Sequence, residues 1–576
     1  MPGGMGRSRS DWYRGVTGIA EGIAGFAAVT CDVFDTAIRR RLARPGDVLL
    51  VVGARLAAAG LCGLRAEGFR AAREAAEAAM RREAAARGED EPRIGEVYGY
   101  LADCGVVTEA APAARVELAC EIAVCEAVPE VRDAMVGGKG AADREVLFVS
   151  DSILPGAWIA ELLVACGYPA DVRVVSSADA RLSKDSGRMF AHALGVLGRA
   201  AGEVVHVGDN PHSDGVRARA AGLATVMWAA RGLGPERGEV AAGGAMLRLL
   251  HSYRRAMGGE GLHRYASLMA IGWTLDILAA ARAVGARRVY FMARDGWLPL
   301  EIARRVVART GEEIELRYLA VSRRALSDEL AGGYLAQEGF CAPGMRVVVD
   351  VGWRGTSQVA LGRLGGVAAG EMLGCYLGLL PDALRPELGP GNTRCALFGF
   401  GDPAGVMGMV MDGYVLPELF FSAPHGTVLG YERRGGRVEP VFAAEDGGRV
   451  AAFAAIAEGV LAEFDALDGM LDGAWEAVSR EAMLFDLAPL LTTPEVAEVR
   501  AINAIRFING PDGTGGLPAI NPMPWHEMLL HPARAMRRAR DCPWRAGWVR
   551  LHLPWPAPPM DYATFADRAG RLGLRA

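Results

Sequence analysis

Residues 26–36 read Phe26-Ala27-Ala28-Val29-Thr30-Cys31-Asp32-Val33-Phe34-Asp35-Thr36, an apolar run of small and β-branched side chains that ends in two acids. A run of this length without polar alternation suits a strand buried on both faces, and such strands belong to parallel sheets covered by helices. Four more segments of the same kind follow: EVLFVSD at 145–151, VRVVSSA at 172–178, VVHVGDN at 204–210 and LATVMWA at 223–229. Helical patterns separate them, and strands alternating with helices predict an α/β fold with a doubly wound, Rossmann-like parallel sheet. Between the first two strands lie residues 45–143, rich in Ala, Arg and Glu. That is too long for an ordinary crossover and predicts a helical insertion.

After Ala230 the Gly-rich, polar segment 231–246 reads as a linker. A second α/β pattern follows, with strands expected at 287–293, 317–322 and 345–351 and a helix from Leu298 to Ala308. Beyond Gly401 a helix-rich stretch and a Trp-, Pro- and Arg-rich tail remain. The domains expected are 1–235, with its core at 20–44 and 144–235 and the insertion at 45–143; a second parallel-sheet domain at 236–430; and a helix-rich C-terminal region at 431–576.

Composition narrows the function classes. With 576 residues, 51% of them hydrophobic and 23% charged, the chain buries sizeable cores and is not globally disordered. The 75 glycines follow no fixed period, which excludes a collagen-like design. A net charge of −5 supplies no basic field for nucleic acid, so none is expected as a partner. Ten scattered cysteines without a Cys-x-x-Cys pair suit a reduced cytoplasmic chain. The N-terminal residues lack an export-signal layout, since Glu21 interrupts the apolar stretch. Tyr265–Val284 is the most membrane-like segment, but Asp276 and Arg282 interrupt it, and Trp273, Ile277 and Ala280 recur at helical spacing; a buried helix is expected, not a membrane span.

Polar residues cluster where ligands of open α/β sheets bind, at the carboxyl ends of strands. They are Asp32-Val33-Phe34-Asp35-Thr36, Ser150-Asp151, Ser183-Lys184 before a helix, and Gly208-Asp209-Asn210-Pro211-His212-Ser213-Asp214. Each alone reads equally as a turn, a cap or a solvated charge. In this order they resemble the four motifs of the haloacid dehalogenase (HAD) superfamily of hydrolases, over about residues 20–235, with the insertion where that superfamily places its cap. The resemblance implies that Asp32 attacks phosphorus to form an aspartyl-phosphate, Ser150 hydrogen-bonds the phosphoryl oxygens and Lys184 neutralises charge. It implies that Mg²⁺ is held by Asp32, Asp209, Asp214 and the backbone carbonyl of Phe34, with Thr36, Asp151 and Asn210 on the substrate side. The chemistry is coherent, because a carboxylate is a competent nucleophile, while a phosphate dianion approaching three acids needs a hard cation and a lysine beside it.

One position departs from the pattern. The family's phosphatases carry a second Asp two residues after the nucleophile, as general acid and base; here that residue is Phe34. Asp35 is the nearest carboxyl able to take that role, which typically contributes about a hundred- to ten-thousandfold. The dehalogenase branch also lacks the second acid, but GDNPHSD keeps two carboxylates suited to a metal that carbon–halogen chemistry does not need.

The second domain shows a comparable set: Arg294-Asp295-Gly296 after one strand, Arg323-Arg324 after another, and Asp350-Val351-Gly352-Trp353-Arg354-Gly355-Thr356-Ser357 where a buried strand turns into a helix. A small-residue turn before a helix offers backbone amides to phosphate, and arginine suits planar, bidentate recognition of it. Phosphate contacts are therefore expected from Arg294, Arg323, Asp350, Arg354, Gly355, Thr356 and Ser357. The spacing is similar to type I phosphoribosyltransferases, except that Val349 stands where that family shows a first acid. FMARDGW, YLAVSRRAL, VVDVGWRGTSQ and LFFSAPHGTVLGY together resemble a bacterial group of two-domain HAD-type proteins that accompany glycosyltransferases of surface polysaccharides, which implies such enzymes as partners. His425 reads as a structural histidine, and the arginine-rich tail with Trp544 and Trp548 as a basic surface helix packing through its tryptophans. The functions expected are an Mg²⁺-dependent phosphohydrolase of a sugar phosphate or nucleotide; against it stand a non-catalytic phosphate-binding scaffold and a phosphoribosyl or glycosyl transferase in the second domain.

Overall fold

The computed structural model describes residues 18–136, 144–228, 244–509 and 516–553. Residues 1–17 of the N-terminal segment read for an export signal, most of the 231–246 linker and the end of the insertion lie outside the described residues. The chain divides into two compact units, one of 1–241, 248–259 and 467–476, the other of 242–247, 260–466 and 477–576.

In the first unit, β1 (Ala28–Cys31), β4 (Glu145–Ser150), β5 (Arg173–Ser176), β6 (Val204–Gly208) and β7 (Ala224–Met227) form a parallel sheet in the order β5-β4-β1-β6-β7. All four residues of β1 are buried, as an uninterrupted apolar run in a central strand requires. β1 lies between β4 and β6, so the ends of the three strands that carry Asp32, Ser150 and Asp209 are neighbours. Strand order reverses at β1, and ligands bind at such reversals.

The insertion contains helices Val48–Ala58, Ala66–Ala86, Ile94–Asp103 and Ala110–Val124, followed by β3 (Cys125–Ala127), which pairs antiparallel with β2 (Ile38–Arg40). Ala66–Ala86 buries Ala66, Phe69, Arg73, Ala76, Met80 and Ala84, the three-to-four spacing of one helical face. The charge in that stripe is satisfied: Arg73 forms a bidentate pair with Glu117 at 2.9 Å, and Tyr98 Oη donates to Glu117 at 2.6 Å.

In the second unit, β8 (Arg288–Met292), β9 (Glu315–Leu319), β10 (Arg346–Trp353), β11 (Met372–Leu379) and β12 (Thr393–Phe398) form another parallel sheet, in the order β12-β11-β10-β8-β9. β10 runs beside β8 with Arg346 opposite Arg288 and Val349 opposite Phe291, and the order reverses between them. An antiparallel hairpin, β13 (Val428–Arg434) and β14 (Arg437–Phe442), turns on Gly435 and Gly436, both at positive φ as a two-residue hairpin turn demands. Helix Ser267–Ala283 occupies the membrane-like segment and buries Trp273, Ile277 and Ala280; among the described residues no helix is long and apolar enough to cross a membrane. The C-terminal region is helix-rich, and its Trp544 and Trp548 are buried. All ten cysteines are free.

Candidate active site

Asp32 leaves the end of β1 with its main-chain N–H donated to Val207 O at 2.8 Å, which ties it to β6. Asp209 and Asp214 follow β6 across a short helical turn, Pro211–Arg217. Carboxylate oxygens of Asp32, Asp209 and Asp214 lie within 4.8 Å of one another. Lys184 Nζ enters from the loop beyond β5, ion-paired with Asp32 Oδ1 and bonded to Asp214 Oδ1 at 2.7 Å. Asp32, Lys184 and Asp214 are all buried.

Asp214 is held from several sides. Its Oδ2 accepts from Asn210 N at 3.0 Å, and its Oδ1 lies 3.1 Å from His206 Nε2, whose Nδ1 is 2.9 Å from Thr30 Oγ1. Gly208 makes room for this fold-back, because a Cβ there would lie 2.4 Å from Asp214 Cγ. Although burial opposes its ionisation, Lys184 and His206 hold the Asp214 carboxyl well below the usual range. Burial pushes Asp32 up, and pushes Asp209 up to about 7 with help from the charges of Asp32 and Asp214. Burial pulls the Lys184 ammonium down, yet Asp32, Asp214 and Asp151 hold it above its ordinary value. Three carboxylates against one ammonium leave the pocket short of positive charge, and hard oxygen donors so close together fit a divalent cation such as Mg²⁺.

The remaining expected residues sit around this core. Ser150 is buried at the end of β4. Thr36 Oγ1 donates to Asp209 Oδ1 at 3.4 Å. Asp151 accepts Lys184 N with both oxygens, at 2.8 and 3.0 Å, and so positions the lysine's backbone. Asn210 Oδ1 accepts from His212 N and Ser213 N, capping the turn that delivers Asp214. Asp35 is exposed, at φ 62°, near enough for its charge to raise Asp209. The Phe34 ring lies under the Arg40 guanidinium, 4.3 Å from its centroid, and Arg40 forms a bidentate pair with Glu121 of the insertion.

Three contributors have no counterpart in the sequence reading: His206, Arg40, and Asp90 from the insertion. Asp90 accepts from Ser183 N at 2.8 Å and Ser186 Oγ at 2.7 Å, clasping the loop that carries Lys184.

In the second unit, Arg294, Arg323, Asp350, Arg354, Gly355, Thr356 and Ser357 all line one cavity, joined by Glu418 and Tyr414 from a later part of the chain. His425 lies outside that lining; its Nε2 is 2.7 Å from Tyr318 Oη and its Nδ1 2.9 Å from Gly426 O, a structural role.

No family model and no curated protein matches the chain. Among solved structures it is similar to a defluorinating L-2-haloacid dehalogenase (18% identity, 37% of this chain and 86% of that one, TM-score 0.28) and to another L-2-haloacid dehalogenase (18%, 36% and 86%, 0.27). It is also similar to a HAD family hydrolase from Deinococcus radiodurans R1 with bound phosphate and sodium (17%, 38% and 87%, 0.22). Identities and TM-scores this low transfer no activity.

Proposed function

We propose that the first unit is a HAD-type hydrolase that removes phosphate from a small phosphorylated metabolite, a sugar phosphate or a nucleotide, through an aspartyl-phosphate on Asp32. The observation that supports this most is the convergence of Asp32, Asp209 and Asp214 within 4.8 Å around one buried lysine. Asp32 Oδ forms a bond to phosphorus as the ester P–O bond breaks. Ser150 and Lys184 hold the phosphoryl oxygens, where charge gathers in the transition state. Asp35 gives the leaving alkoxide its proton and later takes one from the water that hydrolyses the aspartyl-phosphate. Asp32, Asp209, Asp214 and the Phe34 carbonyl would hold Mg²⁺, which would supply charge neutralisation for substrate and carboxylates. Residues 45–136 form the cap of this site, attached to the core by Asp90 on the Lys184 loop and by Glu121 on Arg40.

Phosphate release from a panel of sugar phosphates and nucleotides, with and without Mg²⁺ and with Asp32→Asn alongside, tests the reading. Turnover that needs both Mg²⁺ and Asp32 supports it; wild-type turnover by Asp32→Asn defeats it. The rival reading, binding without turnover, is favoured by Phe34, whose ring leaves the usual acid's position without a carboxyl. It predicts thermal stabilisation by phosphate esters and no phosphate release.

A further inference from the structure

Trp525, Leu529 and Leu530 are 74%, 73% and 72% exposed, more than any other large apolar side chain among the described residues, and all three lie on the one short helix Trp525–Leu530. Water disfavours apolar surface, so three such side chains left together mark a place that meets something apolar. The helix is fixed to the body of the second unit. Met523 is buried, and its N–H donates to His552 Nε2 at 2.8 Å, which ties the start of the helix to helix Arg545–His552 with its buried Trp548.

After His531 the chain enters helix Pro532–Asp541, which buries Ala535, Met536 and Ala539 and exposes Arg534, Arg537 and Arg540. Arg534 Nη1 lies 4.0 Å from Glu527 Oε2, which places this basic face beside the apolar helix. From Trp525 to Asp541 four arginines stand against two acids, in a chain whose net charge is −5. The positive charge is therefore local.

This pairing matches the boundary of an anionic bilayer, where tryptophan and leucine settle between headgroups and acyl chains and arginine reaches the lipid phosphates. A protein partner matches it less well. Three apolar side chains fall short of the roughly 800 Å² per side that a stable protein interface buries, and two-fold pairing with a second copy would set like charges against each other. A membrane asks for less, because a modest apolar anchor and a basic patch act together.

We propose that this surface docks the protein on an anionic phospholipid bilayer, with Trp525, Leu529 and Leu530 entering the headgroup boundary and Arg534, Arg537 and Arg540 on the lipid phosphates. It belongs to the second unit and stands apart from the hydrolase reading.

Flotation of the full chain with vesicles tests it, using phosphatidylcholine alone and phosphatidylcholine mixed in equal parts with phosphatidylglycerol. The chain floats with the mixed vesicles, stays behind with the neutral ones, and leaves the mixed ones at high salt. Trp525→Ser with Leu529→Ser weakens binding by roughly tenfold or more, and Arg534→Gln with Arg537→Gln by about fivefold for each arginine lost. Both variants keep the wild-type melting temperature, since all four positions are exposed. The proposal is overturned if the chain does not bind the mixed vesicles, if it binds neutral and mixed vesicles alike, or if the apolar variant binds as well as wild type. Dimers that the apolar variant abolishes, in a chain that binds no vesicles, also overturn it and give the surface to a second copy.

Discussion

Lys184 Nζ bridges Asp32 and Asp214, which come from the ends of two adjacent strands, and all three groups are buried. The ammonium therefore both holds the site together and provides the charge a phosphoryl group would meet. Lys184→Met is expected to lower phosphate release at least about a hundredfold, the scale of losing one preorganised electrostatic group. It also leaves buried carboxylates unpaired, at about 3–5 kcal/mol in denaturant unfolding. Retained turnover in a folded variant would contradict the assignment.

Gly208 is required by Asp214. The Cβ of Gly208→Ala would lie 2.4 Å from Asp214 Cγ and 2.6 Å from its Oδ2. Overpacking of this kind costs about 1–3 kcal/mol, so the melting temperature falls and Mg²⁺-dependent turnover falls with it as Asp214 is displaced. Gly202→Ala, where nothing lies within 4 Å of the added atom, is the control and leaves both unchanged.

In the proposed mechanism Asp35 carries the proton transfers, because Phe34 stands in the usual acid's place. Asp35→Asn is expected to lower kcat about a hundredfold while Mg²⁺ affinity, read by calorimetry, is kept. Turnover within a few-fold of wild type would remove Asp35 from the mechanism.

The strand ends were legible because the signal is local: an apolar run, then acids, in chain order. Asp32, Ser150 and Asp209 could be picked out from such ends, Lys184 and Asp214 from the polar segments that follow them, and the parallel sheet follows from the same runs. His206 could not, because it sits inside an apolar strand and its contact to Thr30 spans 176 positions. Glu418 has the same origin, since only the fold brings helix Val415–Phe420 to the end of β10. The sequence also gives no sign that Asp151 accepts from the Lys184 main-chain N–H or that Asn210 Oδ1 accepts from His212 N and Ser213 N, which depend on loop geometry that residue type does not encode.

Asp350 makes the second unit pH-sensitive. Burial, with the charges of Asp295 and Glu418, pushes its carboxyl from 3.8 up to about 8. Between those values the folded chain holds a proton that the unfolded chain has released, so stability falls as pH rises through this window. Asp350→Asn removes the titrating group, and its gain in melting temperature over wild type is expected to be larger at about pH 8 than at about pH 5. An equal gain at both would contradict the burial argument.

The proposed hydrolysis passes through a covalent aspartyl-phosphate on Asp32. Mixing the protein with Mg²⁺ and its best phosphorylated substrate, quenching in acid and examining the peptide that carries Asp32 by mass spectrometry tests it directly. One added phosphoryl group is expected on Asp32, absent without substrate and absent in Asp32→Asn. Steady phosphate release with Asp32 unmodified at every quench time would contradict it.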